Sequence, residues 1–115
     1  MARNIIDLPT LGDDGRLYRD TALDLVESLI PNPWESCHAP DLLELENGDL
    51  LCCWFAGSSE GNADISIAVA RLPAGASQWE QPVIVSDDPT RSEQNPSLFQ
   101  NPNGDIWLMY TAQAA

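Results

Sequence analysis

Six polar side chains have types and spacing that suit chemistry: His38, Glu60, Asp64, Arg91, Glu93 and Asn95. His38 is the only histidine, a residue that can take up or release a proton near neutral pH. Glu60 and Asp64 share the loop Gly57-Ser58-Ser59-Glu60-Gly61-Asn62-Ala63-Asp64. A carboxyl group that partial burial keeps protonated can act as a general acid, and either residue has that chemistry. Arg91, Glu93 and Asn95 stand just before an apolar run and can bind hydroxyl groups or a carboxylate. Each residue also has a structural reading. A lone histidine is often satisfied by backbone carbonyls, loop carboxylates cap turn amides, and Arg91 can offset Asp87 and Asp88 at little net energy.

Composition narrows the chemistry. The formal net charge is −13 with no lysine and five arginines, so no basic stripe can follow a phosphate backbone and nucleic acid is excluded as a partner. No His, Cys and carboxylate cluster has zinc spacing, no Gly-rich loop leads into a helix, and no calcium loop is legible, so no metal or other cofactor is implied. The cysteines are Cys37, Cys52 and Cys53. Neighbours on a strand face opposite ways and cannot easily bridge, which fits a reduced compartment. Met1 to Gly12 lacks the features of a secretory signal, and no apolar run is long enough to span a bilayer. The expectation is a soluble, cytoplasmic protein without a membrane partner.

These residues need a scaffold, and the pattern after Trp34 supplies one. Asp41 to Glu46, Asp49 to Ala56, Asp64 to Leu72 and Gln81 to Ser86 are short runs rich in Leu, Ile, Val and aromatics, and each predicts a strand. Asn47-Gly48 signals a two-residue hairpin, while Gly57 to Gly61 and Pro73 to Gly75 punctuate the later runs. The expected unit is a four-stranded antiparallel meander. Before it, Leu23, Val26, Leu29 and Ile30 have helical spacing behind Thr21, yet Ala22 to Ile30 also alternates partly like a strand, so periodicity leaves both open.

The pattern then restarts. Asn95-Pro96-Ser97-Leu98-Phe99, Asn101-Pro102-Asn103-Gly104-Asp105 and Ile106-Trp107-Leu108-Met109-Tyr110 echo Ala39-Pro40-Asp41-Leu42-Leu43, Glu46-Asn47-Gly48-Asp49 and Leu50-Leu51-Cys52-Cys53-Trp54. The offset from Pro40 to Pro96 is 56 residues, near the blade period of a propeller. The predicted organisation is an N-terminal segment at 1–33, either a ring-closing strand or a short helix, a first blade at 34–90, and the first half of a second blade at 91–115. A second copy of two strands leaves an unpaired edge, and two blades cannot close a ring, so exposed apolar faces are expected.

Ser36-Cys37-His38-Ala39-Pro40, Trp54-Phe55-Ala56-Gly57, Glu60-Gly61, Asp64-Ile65-Ser66-Ile67 and Arg91-Ser92-Glu93-Gln94-Asn95-Pro96, with the two hairpin blocks, resemble the BNR-repeat, sialidase-like proteins. The resemblance covers roughly the last two thirds of the chain. It implies an all-β fold, a fragment of a sialidase-like β-propeller of about two four-stranded antiparallel blades, the second incomplete. The family's aspartate-box turn, S-x-D-x-G-x-x-W, survives only as Leu72-Pro73-Ala74-Gly75-Ala76-Ser77-Gln78-Trp79, keeping the tryptophan and losing the serine and aspartate.

The resemblance also implies roles. Sialidases carry an Arg-Ile-Pro motif where this chain has His38-Ala39-Pro40, so the guanidinium fork that grips a carboxylate is replaced by imidazole, which argues against sialic acid as substrate. They carry their aspartate acid/base in the loop that holds Glu60 and Asp64. The implied function is an exo-acting glycoside hydrolase with a carbohydrate as partner, with Glu60, Asp64 and His38 as catalytic candidates and Arg91, Glu93 and Asn95 as substrate-binding ones. The tyrosine and glutamate nucleophile would lie beyond Ala115. Two alternatives keep the fold: a uronate polysaccharide lyase with His38 as base, or a propeller that binds glycan without turnover. Trp54, Phe55, Trp107 and Tyr110 are expected to pack within the blades.

Overall fold

The computed structural model describes residues 12–115. Residues 1–11 lie outside the described residues, and with them the start of the 1–33 segment and most of the stretch examined for an export signal. Every regular element among the described residues is a strand. β1 (Tyr18–Asp20) and β2 (Leu25–Glu27) form a ribbon, β3 (Ser36–Glu44), β4 (Leu50–Gly57), β5 (Ser66–Leu72) and β6 (Val83–Ile84) form a four-stranded sheet in that order, and β7 (Arg91–Gln100) pairs with β8 (Ile106–Ala114). All pairings are antiparallel.

The segment whose spacing left helix and strand open is a strand where it is regular. The Asp20 carboxylate accepts the N–H groups of Ala22 (3.0 Å) and Leu23 (3.1 Å), and Asp24 has φ +51°, so the chain turns where a helix would have begun. β1 and β2 pair with each other. The ribbon is tied to the sheet by Leu17 N–H to Ser77 O and Trp79 N–H to Gly15 O, both 2.8 Å.

In the four-stranded sheet the alternation of β4 sorts its residues onto two faces. Cys52, Trp54 and Ala56 join Leu17, Ala68, Ala70, Leu72 and Trp79 in a core under the ribbon. Leu51, Cys53 and Phe55 join Leu45, Ile65, Ile67 and Leu98 in a second core between this sheet and the β7–β8 hairpin. The adjacent cysteines therefore sit in different cores, both as free thiols, and burial pushes each up to about 11.

The 56-residue repeat is visible in the backbone. Both copies carry an irregularity at one position, between His38 and Asp41 and between Gln94 and Ser97, with a left-handed residue before proline in each, Ala39 (φ +54°) and Asn95 (φ +51°). The bulge lets β3 run back through Pro40 to Ser36, beyond Asp41, where the sequence placed the strand's beginning. Both hairpins close alike, with Leu45 N–H to Asp49 O matched by Asn101 N–H to Asp105 O. Gly48 (φ +91°) and Gly104 (φ +89°) occupy the left-handed position. The loop after Glu44 is thus longer than the two-residue turn that Asn47-Gly48 suggested, because Gly48 closes a bulged turn. β6 is shorter than the predicted Gln81 to Ser86, with Val83, Ile84 and Val85 exposed.

The two copies are joined by backbone and side chains as well as by the apolar layer. Leu98 N–H donates to the Asp41 carboxylate (2.8 Å), Glu46 N–H to the Gln100 amide oxygen (3.0 Å), and Glu93 N–H to Ile65 O (3.1 Å). This is a β-propeller-like arrangement of two sheets, one four-stranded and one contributing two strands here.

The degenerate turn Leu72 to Trp79 is held from outside. Asp49, 7% exposed, accepts the Ala74 N–H (2.7 Å) and the Arg71 guanidinium (2.6 Å), and these hold its carboxyl below the usual range, the Ala74 amide contributing most. Its folded-state pKa is lowered, so its stabilisation is complete above the ordinary value near 3.8 and is lost as pH falls through the lower folded-state value. Asp49→Asn is therefore expected to lower Tm at pH 7 and to cost progressively less below pH 4, measured by thermal unfolding across pH. At the bulge, an alanine with positive φ costs about 1 kcal/mol, so Ala39→Gly should raise stability by up to that amount in urea titrations.

Candidate functional site

Antiparallel pairing decides which chain segments meet. Ser36 opposes Gly57 and His38 opposes Phe55, so the start of β3 and the β4–β5 loop lie at one end of the sheet. Glu93 N–H reaches Ile65 O at the end of that loop, which brings the start of β7 to the same end. The three segments that hold all six candidates therefore converge.

The loop is built to a fixed shape. A Cβ on Gly57 would stand 2.8 Å from both Asp64 O and Ile65 Cδ1, so only glycine permits this close return of the chain. Ser58 N–H donates to the Asp64 carboxylate (3.3 Å), Asn62 Nδ2 to Ser58 Oγ (3.0 Å), and Ile65 N–H to Asn62 O (3.1 Å). Asp64 is thus engaged in holding the loop. Glu60 is exposed and, among the described residues, has no hydrogen-bond or ion-pair partner.

His38 is exposed, with Ser36 Oγ 3.3 Å from its Nε2 and the Phe55 ring 5.4 Å away at 32°. Among the described residues, no hydrogen bond or ion pair joins it to a carboxylate. Beside it a notch of about 320 Å³ is lined by Ile30, Asn32, Cys37, Pro40, Cys52 and Trp54, and the buried indole Nε1 of Trp54 has no hydrogen-bond partner among the described residues.

The β7 candidates divide. Arg91 is half exposed, with Nε 3.8 Å from the Asp88 carboxylate and Nη1 donating to Ala112 O (3.3 Å). Asn95 is exposed on the bulge, presented as a binding residue requires. Glu93 is only 1% exposed and accepts the Asp88 N–H (3.3 Å) and the Tyr110 phenol, whose pKa is pushed up by burial first and then by the Glu93 charge. Glu93 supports this wall rather than facing solvent. Asp88 links the two behaviours, and its own carboxyl is held low chiefly by hydrogen bonds from Thr90.

Sequence reading missed Ser36 and Gln94. Ser36 lies two residues before His38 and so on the same strand face. Gln94 is the 56-residue equivalent of His38 and donates to Ser92 Oγ (2.9 Å), the same i, i+2 partnership that Ser36 and His38 make. Applying the repeat offset to His38 would have found it. The aromatic expectation holds for Trp54 and Phe55, which are buried, while Trp107 and Tyr110 are 52% and 41% exposed. Among the described residues, no group of three or more His, Cys, Asp or Glu is placed to hold a metal ion.

Two faces of one repeated sheet, with polar residues gathered at one end, agree with the comparison to known families. The family model described as a BNR repeat-like domain matches residues 48–115, more than half the chain. No curated protein and no solved structure matches. The matched span covers β4 to β8, including the β7–β8 hairpin turn and the Glu60 loop, and the chain belongs to the BNR repeat-like family.

Proposed function

We propose that the end of the sheets where β3, the Ser58 to Asp64 loop and β7 meet binds a terminal sugar of a glycan, and that the intact protein is a sialidase-like glycoside hydrolase. The observation that supports this is the convergence at one end of His38, Glu60, Asp64, Arg91 and Asn95 in a chain of this family. His38 and Asn95 offer hydrogen bonds to sugar hydroxyls, and the exposed side of Arg91 offers a cation. With imidazole in place of a guanidinium fork and a net charge of −13, the site favours a neutral terminal sugar over sialic acid.

The acid/base role falls to Glu60 in preference to Asp64, because Asp64 is committed to the Ser58 N–H while Glu60 is free to meet a leaving-group oxygen. A second reading, glycan binding without turnover, is favoured by the exposure of both carboxylates, since a general acid is ordinarily kept protonated by partial burial.

The test is turnover by the intact protein on neutral glycosides, sialosides and uronate polymers. Glu60→Gln is expected to lower kcat by roughly 10²-fold or more, with KM little changed, and His38→Ala to raise KM. Turnover unaffected by either change contradicts the assignment. An ultraviolet-absorbing unsaturated product from a uronate polymer would instead establish a lyase, and binding without turnover would establish the second reading.

A further inference from the structure

The six candidate residues include one permanent cation, Arg91, and the chain does not leave that cation free. Asp88 stands three residues before it, in the linker between β6 and β7. Arg91 Nε lies 3.8 Å from Oδ2 of the Asp88 carboxylate, and the Arg91 N–H donates to the Asp88 carbonyl (3.3 Å). On its other side the guanidinium donates from Nη1 to Ala112 O (3.3 Å). A guanidinium grips a carboxylate best through two parallel N–H bonds from one fork. Each fork of Arg91 contains a nitrogen that already faces an oxygen of the chain, so neither offers its full pair.

The aspartate is fixed in that position. Its other carboxylate oxygen, Oδ1, accepts both the Thr90 hydroxyl (2.6 Å) and the Thr90 N–H (2.9 Å), which leaves Oδ2 to face Arg91. The Asp88 N–H donates to the buried Glu93 carboxylate (3.3 Å). The Thr90 bonds hold the Asp88 carboxyl below its usual range, so its charge is present at neutral pH. Every group in this arrangement belongs to the linker or to the paired strands β7 and β8.

We propose that Asp88 sets the specificity of the site: by pairing with Arg91 it keeps the one permanent cation there from gripping a carboxylate, so the site takes neutral sugars and turns away uronic and other acid sugars. The proposal rests on the reading of this end of the sheets as a sugar site. Asp88 acts through Arg91 and does not itself meet the substrate. The Arg91 and Asp88 side chains are 51% and 38% exposed, so the effect is that of a screened surface pair rather than a buried one.

The test uses sugars matched except for the carboxylate, glucose with glucuronic acid and galactose with galacturonic acid, titrated into the intact protein by saturation-transfer NMR. The readout is the ratio of the two Kd values within a pair. Asp88→Asn keeps an oxygen for Thr90 and the N–H for Glu93, and circular dichroism checks its fold. It is expected to shift the ratio towards the acid by about three- to fivefold, less as salt is added. Asp87→Asn, which removes the same charge one residue away, should shift it less, and Asp88→Asn in an Arg91→Gln background should not shift it. A ratio that Asp88→Asn leaves unmoved while the sugars bind overturns this proposal alone. So does an equal shift from Asp87→Asn, or a shift that survives the loss of Arg91. If none of the four sugars binds, the sugar-site reading falls and this proposal with it.

Discussion

The structure depends on one apolar layer, the sheet of side chains trapped between β4–β5 and β7. Phe55, Ile65 and Ile67 are sealed from solvent there, with Leu51 and Leu98 closing the layer. Burying each such side chain contributes about 1.5–3 kcal/mol, far more than any surface ion pair in this acidic chain. Two short sheets can hold a relative orientation only if such a layer locks them, and polar groups then fix its register. The Asp41 carboxylate on the Leu98 amide and the Gln100 amide oxygen on the Glu46 amide grip it along its length. A buried backbone N–H left without such an acceptor would cost about 1–3 kcal/mol.

From that lock the position of the candidate site follows. Because β3 and β7 are equivalent strands of two locked copies, their first residues open at the same end, and the antiparallel return of β4 brings the Glu60 loop there as well. The bulges at Ala39 and Asn95 interrupt both strands at that end, re-aiming the residues just before and on them. Strain of this kind, held by the surrounding sheet, is characteristic of sites that present side chains to a ligand. Glu93 shows the other side of the arrangement, a carboxylate kept inside by the Asp88 amide and the Tyr110 phenol so that the wall carrying Arg91 and Asn95 keeps its shape.

Much of this was legible in the chain. The apolar run from Asp49 to Ala56 announced a strand, and strand geometry alone placed the adjacent Cys52 and Cys53 on opposite faces. The restart at Pro96 gave the second copy. What escaped was decided by contacts between distant residues. The beginning of β3 was set too late because proline ordinarily ends a ladder, and only the bulge and the partner strand β4 carry it further. The stretch around Leu25 could not be assigned by spacing, because a local turn capped by Asp20 and the partner strand β1 choose between two periodicities of equal quality. Glu93 was grouped with the exposed binding residues because sequence position gives the end of the sheet but not the depth, and depth here is set by the neighbouring Asp88 and Tyr110. The box loses its own aspartate in the sequence, and Asp49, from another hairpin, supplies a carboxylate to that turn.

The radial packing of the two copies is tested most directly by methyl nuclear Overhauser effects in a selectively labelled chain. The account predicts cross-peaks from the Leu98 and Leu108 methyls to Leu51, Ile65 and Ile67 at concentrations where the chain is monomeric, and none from Met109. Cross-peaks from the Met109 methyl to those residues, with Leu98 silent, would place the opposite face of the hairpin against the first sheet and contradict the account.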